Sequence, residues 1–510
     1  MNALFETLRR WLAPLGTELP PLYLVGGAVR DLLLRRAPKD IDLMCSDPEA
    51  FAQRLGAFHN AAVVPFTGKA DAPCFRVVGR GNPDDFLDIV GIQGGSVEAD
   101  LARRDFTCNA MAMRVAADGS PGGLIDLFGG RRDLDRRWVR ATGPEVFVSD
   151  PLRIIRAVRF SAQLGFAMDP AAVDLMKSAA AGLAATAGER VARELFLVLE
   201  QPAGTPHIRV LDEVGALEAL FPEIGPMRGC VQNEHHHLDV WGHAVATLGI
   251  CEGILDAAEE RLGPSAVQVK QDLGRHNRLA LLKLAALFHD SGKPAARSIE
   301  PAGGRVVFHG HEKAGAAVAE GVADRLKLSA RDRAYFENLV GNHMHAIDLS
   351  QPQVKLKTLL RWFRRLGGDM VPLIVLSMAD TQATLGPASS SAERERHTRW
   401  ARETIALYHS TLRERLASKP LIDGRDLLAM GVPPGPVLGR VLQAVREAQD
   451  EKSITTREEA LGLAKACSPN RKPLPPRLPS AEGRRPAVRK KRLSRHVFLF
   501  LLFRLTRRPK

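Results

Sequence analysis

Two carboxylates, Asp40 and Asp42, stand two residues apart in the segment LVGGAVRDLLLRRAPKDIDLMC. On a strand, residues i and i+2 face the same side, so both carboxylates project together. Acids placed so closely repel unless a cation lies between them. Two-metal nucleotidyl transfer needs this arrangement: one Mg2+ activates an attacking hydroxyl, and the other holds a triphosphate and stabilises the leaving pyrophosphate. Ahead of the acids, Gly26 and Gly27 follow an apolar run and open a helix that carries Arg30. Glycine lets backbone N–H groups approach a phosphate, and a helix start adds positive potential. Alone, the glycines make a hairpin and the acids a solvated pair. Their order along strand, turn, helix and strand points to catalysis. No GxxxxGK is present, which excludes a P-loop enzyme.

Three further constellations follow. In RRDFTCNA, Asp105 can accept a hydroxyl proton while Arg103 and Arg104 face phosphate, with Asn109 close behind. In DPLRIIRAVRF, Asp150 and Arg153 open a helix with Pro in its first turn, neighbours on one face, with Arg156 beyond. Cytosine and adenine both offer an exocyclic amino donor beside a ring-nitrogen acceptor. Uracil and guanine present a carbonyl where the amino group would be. One Asp–Arg pair can therefore accept C and A and reject U and G. The third constellation is spread over the helical half: His235 to His237, His243, His289-Asp290, His311, His343 and Asp380. Histidine and aspartate are ordinary ligands for a divalent metal, and such a set can converge on one ion that polarises a phosphate and activates water. The His235–His237 tract is given no ligand role.

These groups need elements to hold them. Tyr23 to Val25 reads as a strand, Ala28 to Leu34 as a short helix, and Asp40 to Cys45 alternates with the period of a strand. Beyond about residue 150 strand signals fade, and Ile154 to Leu164, Ala171 to Ala180 and Glu189 to Leu199 have helical spacing. Helices joined by Gly/Pro loops continue to about residue 465, with Glu259 to Arg278 reading as a surface excursion. The formal charge of +13 lies entirely in residues 468–510, which hold 14 Lys and Arg against Glu482. Residues 1–467 balance at 57 basic and 57 acidic. An RNA-binding surface on the body must then come from local clustering. The Pro- and Arg-rich tail is expected to be disordered and could add salt-sensitive RNA affinity. The N-terminus lacks the features of a signal peptide, no apolar run is long enough to span a bilayer, and six scattered cysteines suggest a reduced compartment. A cytoplasmic location is expected.

GGAVRD…KDIDL resembles the signature of polymerase-β-like nucleotidyltransferases, specifically the class II CCA-adding enzymes and bacterial poly(A) polymerases. RRDFTCNA is similar to that family's RRDFTxNA element, which implies that Asp105 meets the ribose 2′-hydroxyl. LIDLFGGRRDL resembles its head–neck hinge. DPLRIIRAVRF resembles its EDxxR motif, which implies Asp150 and Arg153 as base-selecting residues. The family's Glu, which helps to orient the arginine, falls on Ser149 here. H…HD…D resembles the HD phosphohydrolase superfamily. That implies His243, His289, Asp290 and Asp380 as ligands, with His311 and His343 serving a second metal or phosphate. LIDGRDLL and GVPPGP resemble the family's late, RNA-holding region.

The resemblance implies an α+β protein: a small nucleotidyltransferase head (1–137), a helical neck for base selection (138–225), an HD metal-binding domain (226–385), a helical RNA-holding region (386–467) and the basic tail (468–510). It implies an enzyme that adds CMP and AMP from CTP and ATP to the 3′ end of tRNA. Mg2+ would serve the head and an unidentified divalent metal the HD domain. Gly26, Gly27, Arg30, Arg104, Asp105, Asn109, Asp150, Arg153 and Arg156 would bind nucleotide, and Asp40 and Asp42 would hold Mg2+. A-only, CC-only and poly(A) addition share every motif. Of other classes, an HD phosphohydrolase with an RNA-binding head and a noncatalytic RNA-binding protein stay open, as does the oligomeric state.

Overall fold

Seven strands follow an N-terminal helix: β1 (Leu22–Val25), β2 (Asp42–Cys45), β3 (Ala62–Phe66), β4 (Cys74–Val78), β5 (Phe86–Gly91), β6 (Met111–Val115) and β7 (Pro121–Asp126). The computed structural model describes residues 2–16, 19–66, 73–301 and 303–468. The tail from 469 on, for which disorder is expected, lies outside the described residues. The strands form one sheet in the order β3-β4-β5-β2-β1-β6-β7. Only β2 and β5 run parallel, in the register Asp42↔Asp88. Val25, Met44 and Ala112 from the central strands pack with Val97 and Leu101 of the helix Val97–Ala102 into one buried cluster. Ser96 caps that helix, its hydroxyl accepting from Ala99 N.

The residues described divide into two compact units. The first is made of the described residues of 2–256, 274–341 and 383–389, and the second of those of 257–273, 342–382 and 390–468. In the first unit the sheet is followed by helices, as the sequence predicts. Arg153–Leu164 buries Ile154, Ile155, Ala157, Val158, Phe160, Ser161 and Leu164, a stripe of helical period, and ends where Gly165 turns left-handed. Gly188–Leu199 buries a matching stripe. A buried ion pair ties this neck to the helices beyond it. Lys283 Nζ lies 2.8 Å from Glu252 and donates to the Gln201 carbonyl at 2.6 Å. Glu252 in turn accepts from Gly204 N, Thr205 N and the Thr205 hydroxyl.

In the second unit Ile422, Leu427, Val432, Val441, Val445, Ala460 and Ala464 form the core of the C-terminal helices. Capping boxes at Asp423/Asp426 and Thr456/Glu459 start two of those helices.

Two stretches of the helical part hold structure that the sequence reading does not give them. Two-residue ladders, Trp138–Val139 with Ala167–Met168 and Ser298–Ile299 with Val306–Val307, interrupt the helical part. They are too short for a period-two pattern to register. The stretch read as a surface excursion is folded: helices Ala258–Leu262 and Ala266–Leu273 bury Ala258, Leu262, Ala266, Val269 and Leu273 at intervals of three and four. No described helix is long and apolar enough to cross a membrane.

None of the six cysteines, all among the described residues, is in a disulfide. Burial pushes the Cys45 thiol up to about 11 and those of Cys108 and Cys251 up to about 12. Thiolate is the reacting form, so at pH 8 these three are expected to resist iodoacetamide in the native protein while exposed Cys467 is alkylated. Mass spectrometry of the labelled peptides checks this. Native-state labelling of Cys108 at the rate of Cys467 would contradict the packing around it.

Candidate active site and metal centre

Gly26 joins β1 to the helix Gly27–Leu33 with φ 65° and ψ −128°, a conformation that glycine adopts without strain. A Cβ there would lie 3.0 Å from Arg104 Nη1. The turn and the Arg104 guanidinium are therefore in close approach. Arg104 is held by Asp100 at 2.9 Å, and Arg30 donates to the Asn109 side-chain oxygen at 2.9 Å. Gly26, Arg30, Arg104 and Asn109 thus meet around the turn.

The paired acids differ from expectation. Asp42 opens β2, but Asp40 lies before the strand, with its side chain 59% exposed and 3.9 Å from Arg76. The ladder begins only at Ile41, whose carbonyl accepts from Asp88 N at 3.0 Å. Among the described residues, no close group of three metal donors includes Asp40 or Asp42. A third carboxylate, absent from the sequence candidates, stands opposite Asp42. Residues paired in register on adjacent strands share a face, so Asp88 joins Asp42 on one side of the sheet. Asp88 is buried and gripped by both ends of the Arg76 guanidinium, at 2.7 and 2.6 Å, while Arg76 lies over the Phe86 ring. The available signal was an acid inside the apolar strand FLDIVG. An oxygen-only donor set on this face suits Mg2+.

Behind the turn a chain of charges joins head to neck. Arg156 donates two hydrogen bonds to one Asp105 oxygen, at 2.9 and 2.6 Å, and a third to Glu194 at 3.2 Å. The other Asp105 oxygen accepts from Phe106 N and Asn109 Nδ2. Arg159 pairs with Glu194 at 2.8 Å. Arg30, Arg156 and Arg159 surround the Phe160 ring, balanced by Asp31, Asp105 and Glu194. Burial alone would push the Asp105 carboxyl up, but the Arg156 charge and its hydrogen bonds, with those from Asn109 and Phe106, hold it below the ordinary aspartate range. Asp105 is therefore ionised and has both oxygens engaged.

Asp150 and Arg153 do not share a helix face. Asp150 is extended (φ −149°, ψ 96°) at the end of the short helix Val146–Ser149, because a residue before proline is driven out of the helical region. A turn bond, Arg153 N to the Asp150 carbonyl at 3.0 Å, keeps them adjacent. Their side chains have separate partners. Asp150 accepts from Arg190 at 2.8 Å. Arg153 donates to the Arg103 carbonyl at 2.9 Å and, more weakly, to the Val146 carbonyl and the Ser149 hydroxyl. Main-chain oxygens supply contacts to the arginine in a place where the resembling motif has a glutamate.

The histidine region of the first unit converges on Asp290. Its oxygens lie 3.7 Å from His243 Nε2, 3.3 Å from His289 Nε2 and 3.5 Å from His311 Nε2. His289 Nδ1 is 2.9 Å from the Ala286 carbonyl and His311 Nδ1 is 2.8 Å from that of Phe308. A carbonyl can only accept, so Nδ1 carries the proton in each, and Nε2 is the nitrogen whose lone pair could go to a metal. Imidazoles around a carboxylate fit a transition-metal divalent ion. Lys293, given no role by the sequence, lies 2.6 Å from Asp290 and donates to Gln232 at 2.7 Å. His236, from the tract given no ligand role, joins His243 and Asp290 in one group of close donors. His343 is buried on the helix Ala330–Leu349 and Asp380 on Met370–Ala383, both in the second unit.

A sheet-based head with a carboxylate face, a helical neck and a histidine–aspartate cluster follow one another in that order. Residues 22–140 match the poly A polymerase head domain, 165–227 the probable RNA and SrmB-binding site of polymerase A, and 240–380 the HD domain. The A-adding tRNA nucleotidyltransferase of Deinococcus radiodurans is 33% identical over 88% of this chain and 95% of its own length. The CC-adding tRNA nucleotidyltransferase of Thermus thermophilus is 33% identical over 86% and 91%. The multifunctional CCA protein of Xanthomonas campestris pv. campestris is 30% identical over 86% and 100%. A CCA-adding enzyme in its apo form I shares the fold, with a TM-score of 0.60 at 21% identity over 92% of this chain and 94% of that one. The chain belongs to the family of tRNA nucleotidyltransferases that contains these A-adding, CC-adding and CCA-adding enzymes.

Proposed function

We propose that the chain adds CMP and AMP, from CTP and ATP, to the 3′ end of tRNA. The RNA 3′-hydroxyl oxygen attacks the α-phosphorus, the bond to the β-phosphate oxygen breaks, and pyrophosphate leaves. In this reading 1–137 is the transferase head, 138–225 the base-selecting neck, 226–385 the HD domain and 386–467 the region that holds RNA. The observation that carries it is the carboxylate face of Asp42 and Asp88, joined by Asp40 through Arg76. Mg2+ bound there would neutralise the triphosphate and make the hydroxyl a better nucleophile. Gly26, Gly27, Arg30 and Arg104 would take the phosphates, a role supported by the close approach of the glycine turn to the Arg104 guanidinium. Asp105 acts on the ribose through the two groups it holds, Asn109 and Arg156. Asp150 accepts from the base amino group and Arg153 donates to the ring nitrogen. The HD centre would polarise a phosphate ester and activate water.

A second reading, addition of A alone or CC alone, draws support from the A-adding and CC-adding relatives, each 33% identical to this chain. Labelled CTP, ATP, UTP and GTP offered singly to tRNA transcripts ending before, within and after CC test both readings. CTP and ATP are expected to be used and UTP and GTP rejected. The same assay separates the classes: Asp290→Ala is expected to keep full addition. If Asp290→Ala abolished the main activity and Asp40→Ala left it intact, the protein would be an HD phosphohydrolase with an RNA-binding head.

A further inference from the structure

We propose that His236 is a further ligand of the HD cation centre, so that the loop ahead of the helix Val240–Asp256 helps to hold the ion. This rests on the reading that the centre binds a divalent cation. The ligating atoms of His236, His243 and Asp290 all lie within 4.8 Å of one another, and the His236 and His243 rings meet edge to face at 4.8 Å. Donors bound to one ion at about 2.1 Å stand roughly 3–4 Å apart, so small side-chain rotations bring these three onto a common ion. The tautomer is suitable. His236 Nδ1 lies 3.0 Å from the Asn233 side-chain oxygen, which places the proton on Nδ1 and leaves Nε2 to ligate, as in His289 and His311.

The loop is built to hold this ring and not its neighbours. His235 and His237 are exposed while His236 is half-buried. His236 N donates to the Asn233 carbonyl at 3.0 Å. From the other side, Gly386 N donates to the His235 carbonyl at 2.7 Å and Ala388 N to that of Glu234 at 3.1 Å. A Cβ on Gly386 would stand 2.3 Å from Glu234 O and 2.4 Å from His236 N, so any other residue there would push the loop away. Asp239 fixes the far end, accepting from Gly229 N and Gly242 N, both at 2.7 Å. The pinned loop keeps this imidazole within reach of the His243 and Asp290 donors.

The test is titration of the full-length protein with Co2+ in excess Mg2+, which the oxygen-only head site takes. Equilibrium dialysis gives affinity, and visible absorption reports nitrogen ligation. His236→Gln is expected to weaken Co2+ binding at least about tenfold, the order lost when a metal site loses a supporting group, and to change the absorption band. His235→Ala is expected to match the wild type in both readouts. Gly386→Ala displaces the loop without removing the ligand and is expected to weaken binding as well, which covers the case in which His236→Gln fails to fold. Wild-type affinity and spectrum in His236→Gln would overturn the ligand role alone. No Co2+ binding by the wild type would overturn the cation reading, and the ligand role with it.

Discussion

Replacing Asp42 by alanine is expected to lower nucleotide addition to tRNA by about 1,000-fold or more, the equivalent of several kcal/mol of lost transition-state stabilisation. The carboxylate opens β2, the middle strand of the sheet, opposite Asp88 on β5 and beside β1, whose end carries the Gly26 turn. Its removal takes away one member of a like-charged pair, so stability is expected to hold or rise slightly. The measurements are initial rates of labelled CMP and AMP incorporation and a thermal unfolding curve on the same sample. A large loss of rate at unchanged unfolding temperature is the expected pairing. Activity within tenfold of wild type would place the transfer chemistry elsewhere.

Asp105→Asn is expected to cost about 3 kcal/mol of stability. That is the lower end of the range for breaking a buried ion pair, chosen because the Arg156 side chain is still about a third exposed. The variant leaves Arg30, Arg156 and Arg159 around Phe160 with one fewer negative charge, two carboxylates (Asp31 and Glu194) against three arginines. The pH dependence follows from the sign of the shift. The carboxyl is held below its ordinary range in the native state. Its contribution is therefore fully present above the unfolded value of about 3.9 and disappears as pH falls through the lower native one. Urea unfolding at pH 7 and pH 5 should show the full gap between wild type and variant, with the gap closing below about pH 4. A gap unchanged down to pH 3 would mean that the loss comes from shape and not from charge.

What the sequence made legible was local. The glycine turn, the Asp-x-Asp and the helices around Arg153–Leu164 and Gly188–Leu199 follow from spacing over a few residues. The charges that converge on Phe160 were visible as motifs, but not as one network. Asp31, Asp105, Arg156 and Glu194 come from four separate segments that only the fold brings together. Asp88 was hidden for the same reason: it reaches Asp42 through a parallel register, across 46 residues of chain. The i, i+3 spacing allows Asp150 and Arg153 to share a helix. The Pro151 ring bars the residue before it from the helical region, so the two meet through a turn. Among three consecutive histidines, composition cannot choose. The bond from the His236 ring to the Asn233 side-chain oxygen and the closeness of Gly386 single out His236.

The central claim is template-independent addition of C and A at a tRNA end. The direct measurement is extension of tRNA transcripts ending before CCA, after C and after CC, with labelled CTP and ATP supplied separately and together under Mg2+ and low salt. The account predicts addition of CC and then A on the shortest transcript, stopping there. No incorporation into any of the three transcripts would contradict it.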